Sequence, residues 1–329
     1  MAIIKAESLS KKFKIYERGD GIKGYIKSFV ARDYREVKAV KDLDLEIERG
    51  EIIGYIGANG AGKSTTVKML TGILEPSSGN INVNGLVPHK ERKKNAMNIG
   101  VVFGQKTQLW WDLPVRESFE LLRQIYEVSE EDYNERMEEF TEVLGLDEFL
   151  DQPVRKLSLG QKMRCELAAS FLHNPPIVYL DEPTIGLDVS VKEKIREFIK
   201  KKNREEDTTV MLTTHDIGDI EDLCERIVVL DKGRKIYDGR LEKLVNSFSS
   251  RRLLIDLKNK KELKVDFEGI EQVNQNGLEA EILFDRNKIS ASRIMKKILN
   301  NYEIHDFKVR EPDIEEVVKK IYREGLDNE

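Results

Sequence analysis

One run of residues, Gly57-Ala58-Asn59-Gly60-Ala61-Gly62-Lys63-Ser64-Thr65, constrains this chain more than any other feature. It follows the pattern G-x-x-x-x-G-K-[ST], directly after the apolar run Ile52–Ile56 and before a helical pattern over Lys63–Thr71. Glycines let successive backbone N–H groups curl around phosphate oxygens, and the helix N-terminus adds its partial positive charge. In such a loop Lys63 reaches the β- and γ-phosphates, and the Ser64 hydroxyl ligates Mg²⁺. A strand, a phosphate loop and a helix are thereby expected, with a nucleoside triphosphate as ligand.

A second apolar run, Ile177-Val178-Tyr179-Leu180, ends in Asp181-Glu182. At the end of a strand, Asp181 is placed to hold Mg²⁺ directly or through its waters, and Glu182 could polarise an attacking water. Further short apolar runs, Ile99–Phe103, Val210–Thr213 and Ile227–Leu230, alternate with longer helical patterns up to about residue 245. That alternation predicts an α/β fold with a mainly parallel sheet. Between Val115 and Leu172 the strand signals vanish. A helical insertion is expected there, its acidic run Glu130, Glu131, Asp132, Glu135, Glu138, Glu139 and Glu142 forming a solvated face.

After Asn246-Ser247-Phe248-Ser249-Ser250 the texture changes. Strands are expected at Leu253–Leu257, Leu263–Phe267, Ala280–Phe284 and near Ile304–Val309, with a helix over Ile289–Leu299. A last helix would carry Ile314, Val317, Val318, Ile321 and Tyr322 on one stripe. The expected division is residues 1–245, with a helical subdomain at about 105–172, and an α+β domain at 250–329.

With 329 residues, the chain is long enough for two domains. Lys plus Arg is 55 against 60 for Asp plus Glu, a net charge of -5, which argues against a general nucleic-acid coat. No run approaches the roughly 18 apolar residues of a membrane span. The charged N-terminus MAIIKAESLSKKF is unlike a signal peptide. Two cysteines, Cys165 and Cys224, lack metal-like spacing and point to a reducing cytoplasm.

Leu157-Ser158-Leu159-Gly160-Gln161, just ahead of the Asp181 strand by one helix, resembles the LSGGQ signature of ATP-binding cassette (ABC) ATPases. Gln105 resembles the Q-loop glutamine, Gly186-Leu187-Asp188 the D-loop, and His215 the switch histidine. The resemblance covers about residues 2–245; Leu159, where the family usually has glycine, departs from it. It implies a P-loop NTPase core of the ABC-ATPase type with a helical subdomain, ATP and Mg²⁺ as cofactors, and ATP hydrolysis as the activity. It implies ATP contacts from the loop 57–65 and Gln105, and metal contacts from Ser64, Gln105 and Asp181. Glu182 and His215 would be catalytic. Ser158, Gly160, Gln161 and Asp188 would act in trans across a head-to-tail dimer, since one P-loop and one signature cannot complete a site alone. The adenine-stacking ring would be Phe13, with Tyr16 as the alternative; His89, His173 and His305 carry no such role.

The single compact cassette resembles a transporter subunit, and its wording that of ABC-2-type exporters. The segment Gln105–Val115, with Trp110 and Trp111, would then receive a membrane permease, unless both rings fill the subdomain core. Ile22, Tyr25, Ile26, Phe29 and Val30 form an apolar stripe among basic residues, read as a membrane- or permease-facing helix or as one packed on its own domain. The C-terminal domain is expected to regulate or to contact the dimer, or else to sense substrate. The expected location is cytoplasmic, peripheral on the membrane. The competing reading is a soluble ABC ATPase acting on nucleic acid or the ribosome.

Overall fold

The computed structural model describes residues 2–16, 34–104, 106–247 and 250–310. It divides into two compact units, Met1–Asp238 and Gly239–Glu329. The amphipathic stripe at 22–30, Gln105 and the stripe at 314–322 lie outside the described residues.

The first unit opens with β1 (Ala2–Tyr16) and β2 (Tyr34–Glu48), a long antiparallel pair that the short apolar runs did not announce. β3 (Ile52–Gly57) leads into the phosphate loop and α1 (Lys63–Leu70). β4 (Ser78–Val83) then joins β1 in a three-stranded sheet of order β2-β1-β4. A short α2 (Arg92–Met97) precedes β5 (Ile99–Phe103).

The expected helical insertion follows as α3 (Val115–Ile125), α4 (Glu130–Leu144), a 3-10 turn at Val154–Lys156, and α5 (Leu159–Phe171). Each start has a local reason. Ser129 accepts from the Asp132 N–H to cap α4, whose first turn holds three carboxylates that favour its dipole. Ser158 and Gln161 form a reciprocal capping box on α5. The acidic face of α4 is exposed as expected except at Glu139, which pairs with Lys201 and the buried Lys202.

The core continues with β6 (Ile177–Asp181), α6 (Val189–Glu206), β7 (Thr209–Thr213), α7 (Ile217–Leu223), β8 (Arg226–Asp231) and β9 (Arg234–Arg240). The six strands order as β5-β6-β7-β3-β8-β9, with parallel pairing from β5 through β8. Strands β6, β7 and β8 are almost wholly buried, as continuous apolar runs covered on both faces should be; Tyr179, Met211 and Val228 share a core with Leu43, Leu45 and Ile47 of the three-stranded sheet. The fold is therefore the α/β P-loop architecture. Cys165 and Cys224 are both free and buried.

The second unit holds α8 (Leu241–Ser247), β10 (Ser250–Leu257), β11 (Ile270–Asn276), β12 (Glu279–Asp285), α9 (Ala291–Asn301) and β13 (Ile304–Arg310). Its antiparallel sheet runs β11-β12-β10-β13 over a core including Leu253, Ile255, Ile282, Phe284, Ile294 and Ile298. The expected strand at Leu263–Phe267 is absent. Leu263 is buried there, but its N–H donates to Gln275 Oε1 (2.7 Å) and that of Lys264 to the Tyr302 hydroxyl (2.9 Å). Side chains thus replace a ladder, and the polar run Ile270–Asn276, unannounced by apolar alternation, supplies the edge strand.

Helix α5 meets the sheet at an unusually close approach. A Cβ on Gly100 of β5 would stand 2.1 Å from the backbone carbonyl oxygen of Ser170. Gly100→Ala must therefore push β5 and α5 apart, with an expected loss of about 1–3 kcal/mol of stability. Urea unfolding checks this; an unchanged midpoint would show that the contact is not tightly packed.

Candidate functional site

The parallel strands converge their carboxyl ends on one edge, where open α/β sheets bind ligands. The loop after β3, the Asp181–Glu182 turn after β6 and His215 after β7 all lie there. Gly62 ends the loop at φ 109°, and a Cβ on it would lie 2.6 Å from the Ala39 carbonyl oxygen, so only glycine fits. No side chain caps the first turn of α1. Its N–H groups thus face outward beside the exposed Ala58, Asn59, Gly60 and Ser64, a cradle suited to phosphate.

Lys63 is buried and folds back onto the loop, donating to the carbonyl oxygens of Gly57 and Ala58. Burial lowers its pKa, while nearby Glu182 and Asp181 push the other way. The two carboxylates thus lie near enough to act on the ammonium, at the same edge of the sheet. The Thr213 hydroxyl donates to Asp181, fixing one carboxylate oxygen and leaving the other for a ligand. Among the described residues no group of three His, Cys, Asp or Glu could hold a metal by itself. The donor set of Ser64 and Asp181 fits Mg²⁺, which keeps waters and is completed by substrate phosphates.

Glu182 sits in the left-handed region at φ 56°, held by its N–H donating to the Thr213 carbonyl oxygen (2.8 Å). Strain of this kind persists where surrounding structure enforces it, commonly at functional sites. Its Oε2 accepts the His215 backbone N–H (3.2 Å), and its Oε1 lies 3.4 Å from His215 Nε2. Burial raises the Glu182 pKa, opposed by His215 and Lys63. A carboxylate of raised basicity beside an imidazole can take a proton from water.

A brace that no motif signalled sets this geometry. Asp219 on α7 is fully buried and accepts from Thr184, from Thr214 (3.1 Å) and from Arg196 (2.7 Å). It thereby ties the turn after Glu182 to the loop carrying His215. In sequence it reads as an ordinary acidic residue in the first turn of a helix.

The other expected residues lie elsewhere in the chain. Ser158, exposed, spends its oxygen on the N–H of Gln161 (3.2 Å), while Gln161 Oε1 accepts the Ser158 N–H (2.9 Å). Leu159 is simply the first residue of α5, half exposed, with its side chain over Gly186. The helical backbone accommodates its side chain where glycine is usual. Gly160 packs near Leu187 and Val191, and Asp188 caps α6 by accepting from the Val191 N–H (3.0 Å). That hydrogen bond, followed by one from Ser190, lowers the Asp188 pKa. Phe13 is exposed on β1, with Lys11 over its ring at 5.4 Å. His173 stacks on Tyr126 and is pushed down by burial to about 4, a structural histidine; His89 is half-buried and His305 exposed.

Residues 40–185 match the family described as ABC transporter. The chain is 34% identical over 217 residues to the ABC transporter ATP-binding protein NatA of Bacillus subtilis (strain 168), covering 66% of this chain and 88% of that protein. This chain belongs to the ABC transporter ATP-binding family. A further relative, the methionine import ATP-binding protein MetN 2 of Enterococcus faecalis, is 35% identical over 210 residues, 63% of this chain and 61% of that protein. Among solved structures, the dimeric post-hydrolysis state of the ATP-binding cassette MJ0796 bound to ADP and Pi superposes with a TM-score of 0.61. It shares 29% identity, over 72% of this chain and 98% of the cassette. The ABC chain is accordingly an ATPase that binds ATP with Mg²⁺.

The capping role of Ser158 allows its stability and functional contributions to be separated. Ser158→Asp keeps an acceptor for the α5 N-terminus but sets a negative charge where the resemblance to the signature motif leads one to expect a phosphate. The expected result is a melting temperature close to wild type with ATP turnover lowered at least roughly tenfold, as one displaced charge contact implies. Normal turnover would mean that Ser158 only caps its helix.

Proposed function

We propose that this ABC ATPase is the motor subunit of an exporter, closing as a head-to-tail homodimer on ATP to drive a separately encoded membrane permease. One observation carries the reading. Lys63, Asp181, Glu182 and His215 gather at one sheet edge, while Ser158 and Gln161 cap α5 reciprocally and Asp188 caps α6, with Ser158 and Asp188 exposed. One chain thus carries two complementary halves of a site. The likeness to a dimeric cassette supports their meeting across two copies.

In this reading the loop 57–65 binds the phosphates, Lys63 leaves the carbonyls of Gly57 and Ala58 for the β- and γ-oxygens, and Phe13 stacks on adenine. Ser64, Asp181 and Gln105 would hold Mg²⁺, which supplies charge neutralisation on those oxygens. Glu182 takes the proton of the water that attacks the γ-phosphorus; the bond to the β–γ bridging oxygen breaks, leaving ADP and phosphate. His215 orients Glu182 and touches the γ-phosphate. Ser158, Gly160, Gln161 and Asp188 of the second copy close over the nucleotide.

Coupling to the permease runs through Gln105–Val115. Trp110 and Trp111 are 37% and 54% exposed, more than core rings would be, and aromatic anchors are what interfaces enrich. No helix among the described residues is long and apolar enough to cross a membrane, in keeping with a chain held at the cytoplasmic face by its partner. The relatives of the cassette include an import protein, so export rests on the resemblance of the motif wording, the insertion after β1 and the C-terminal domain to ABC-2-type exporters. Purification of the tagged chain from gently solubilised native cells tests the whole reading. A stoichiometric multi-span membrane protein is expected; ribosomal proteins or nucleic acid would replace it by the soluble alternative.

Two variants test the parts. Glu182→Gln should retain ATP, accumulate dimer by size exclusion and lose roughly a hundredfold or more in turnover, the usual contribution of a general base. Because burial raises the Glu182 pKa, the wild-type acid limb should lie above the ordinary glutamate value of 4.5, activity falling as pH drops through the raised value. A limb at or below 4.5 would remove Glu182 as the base. Trp111→Ala should reduce permease-stimulated ATPase activity several-fold, in the range of an interface anchor, with basal activity of the isolated subunit unchanged. Equal losses in both assays would make Trp111 a folding residue.

A further inference from the structure

Glu166 lies two turns beyond Ser158 on α5, on a face otherwise made of Met163, Leu167 and Ser170, and is only 4% exposed. A carboxylate there costs stability that an apolar side chain would not, unless its oxygens are satisfied. They are satisfied entirely by the segment that leaves the nucleotide edge of β5. The Thr107 hydroxyl donates to Oε1, and the Gln108 N–H donates to Oε2 (3.2 Å). Gln108 Nε2 also donates to the backbone carbonyl oxygen of Glu166 (3.1 Å). Burial raises the Glu166 pKa against these bonds and nearby Lys162.

The same segment is bound to the helical subdomain at every later step. Lys162 of α5 stands 5.2 Å over the Trp111 ring. The Arg155 N–H donates to the Trp111 carbonyl oxygen (3.0 Å), and the Arg155 guanidinium pairs with Asp112. Val154 N–H donates to the Leu113 carbonyl oxygen (3.0 Å). At its start, Gly104 N–H donates instead to the Asp181 carbonyl oxygen (3.0 Å), on the core. The handover from core to helical subdomain thus falls between Gly104 and Thr107, and Glu166 is the first grip on the far side.

We propose that Glu166 is a positioning residue for ATP turnover, fastening the segment Thr107–Leu113 to α5 so that this segment and Ser158 at the head of the helix move as one body. The inference rests on the reading of Ser158 as a contact to the second copy's nucleotide. Ser158 and Glu166 are eight residue steps apart along the helix, about 12 Å of rigid rise. A displacement of Trp110 and Trp111 by a docked partner, or of the segment by nucleotide, therefore reaches Ser158 without passing through the sheet. With the carboxylate removed, the segment can shift while α5 stays, and the two signals come apart.

The test uses the purified full chain and four variants. Glu166→Ala removes both acceptors, Thr107→Val removes one donor, and Glu166→Gln keeps both contacts because the Thr107 hydroxyl can turn to accept. Ser158→Arg serves as a control on the trans reading. Binding of a fluorescent ATP analogue should stay within about twofold of wild type in all four, since the phosphate loop is untouched. In Glu166→Ala, kcat should fall roughly tenfold, and in Thr107→Val several-fold, with Glu166→Gln restoring most of the loss. Both tryptophans of the chain lie in this segment, so acrylamide quenching of their fluorescence should steepen in Glu166→Ala and Thr107→Val and not in Glu166→Gln.

Wild-type kcat and quenching in Glu166→Ala overturn the inference. So does loss of nucleotide binding in proportion to turnover, which is the mark of a merely structural residue. If Glu166→Ala fails to fold, Thr107→Val decides, because it leaves the buried carboxylate its second partner. Loss of turnover in Ser158→Arg with none in Glu166→Ala sinks only the role of Glu166. Full turnover in Ser158→Arg sinks the trans reading itself.

Discussion

The unsatisfied N–H groups at the start of α1 are the feature on which the rest of this molecule depends. A helix start without a side-chain cap is a local cost, and here it is retained at the end of a buried parallel strand. Gly62 makes it possible because a side chain there would run into the Ala39 carbonyl, and its φ of 109° is one that other residues rarely adopt. The positive end that results needs anionic company. Lys63 donates to the loop carbonyls, and Asp181 and Glu182 add negative charge from the adjoining strand end.

Around that centre the chain spends several buried polar groups on fixing one segment against another. Asp219 joins the turn after Glu182 to the loop of His215. Glu166 joins the segment after β5 to α5. Lys202 joins α6 to α4, its ammonium between Glu139 and Glu206 and over the rings of Phe140 and Phe198. Each carries full desolvation and has partners on another element, so each specifies one relative placement of two elements where an apolar pair would tolerate several. Such contacts join the site and the helical subdomain in addition to the apolar core.

The fold was legible where residues announce themselves by short-range pattern. Continuous apolar runs gave β3, β5, β6, β7 and β8, because a strand buried on both faces must be apolar at every position. The β1–β2 pair and β11 escaped, since their charged or polar residues alternate with apolar ones only partly. The stretch Leu263–Phe267 carried a strand's alternation and formed none, because the Gln275 and Tyr302 side chains took the backbone donors a neighbouring strand would have used.

By itself, the sequence determined the nucleotide chemistry. The phosphate loop, the Asp181–Glu182 pair and the Ser158–Gln161 start of α5 are each built from near neighbours, so their spacing alone encodes their geometry. Only the tertiary structure decided which of these meet. It brought Glu182 to His215 and Lys63, and placed the buried carboxylates of Glu166 and Asp219 against Thr107 and Thr184, 59 and 35 residues away in the chain. The reason is physical: a buried charge takes its meaning from the donors that surround it, and those donors are chosen by the order of strands in the sheet, which no local pattern contains.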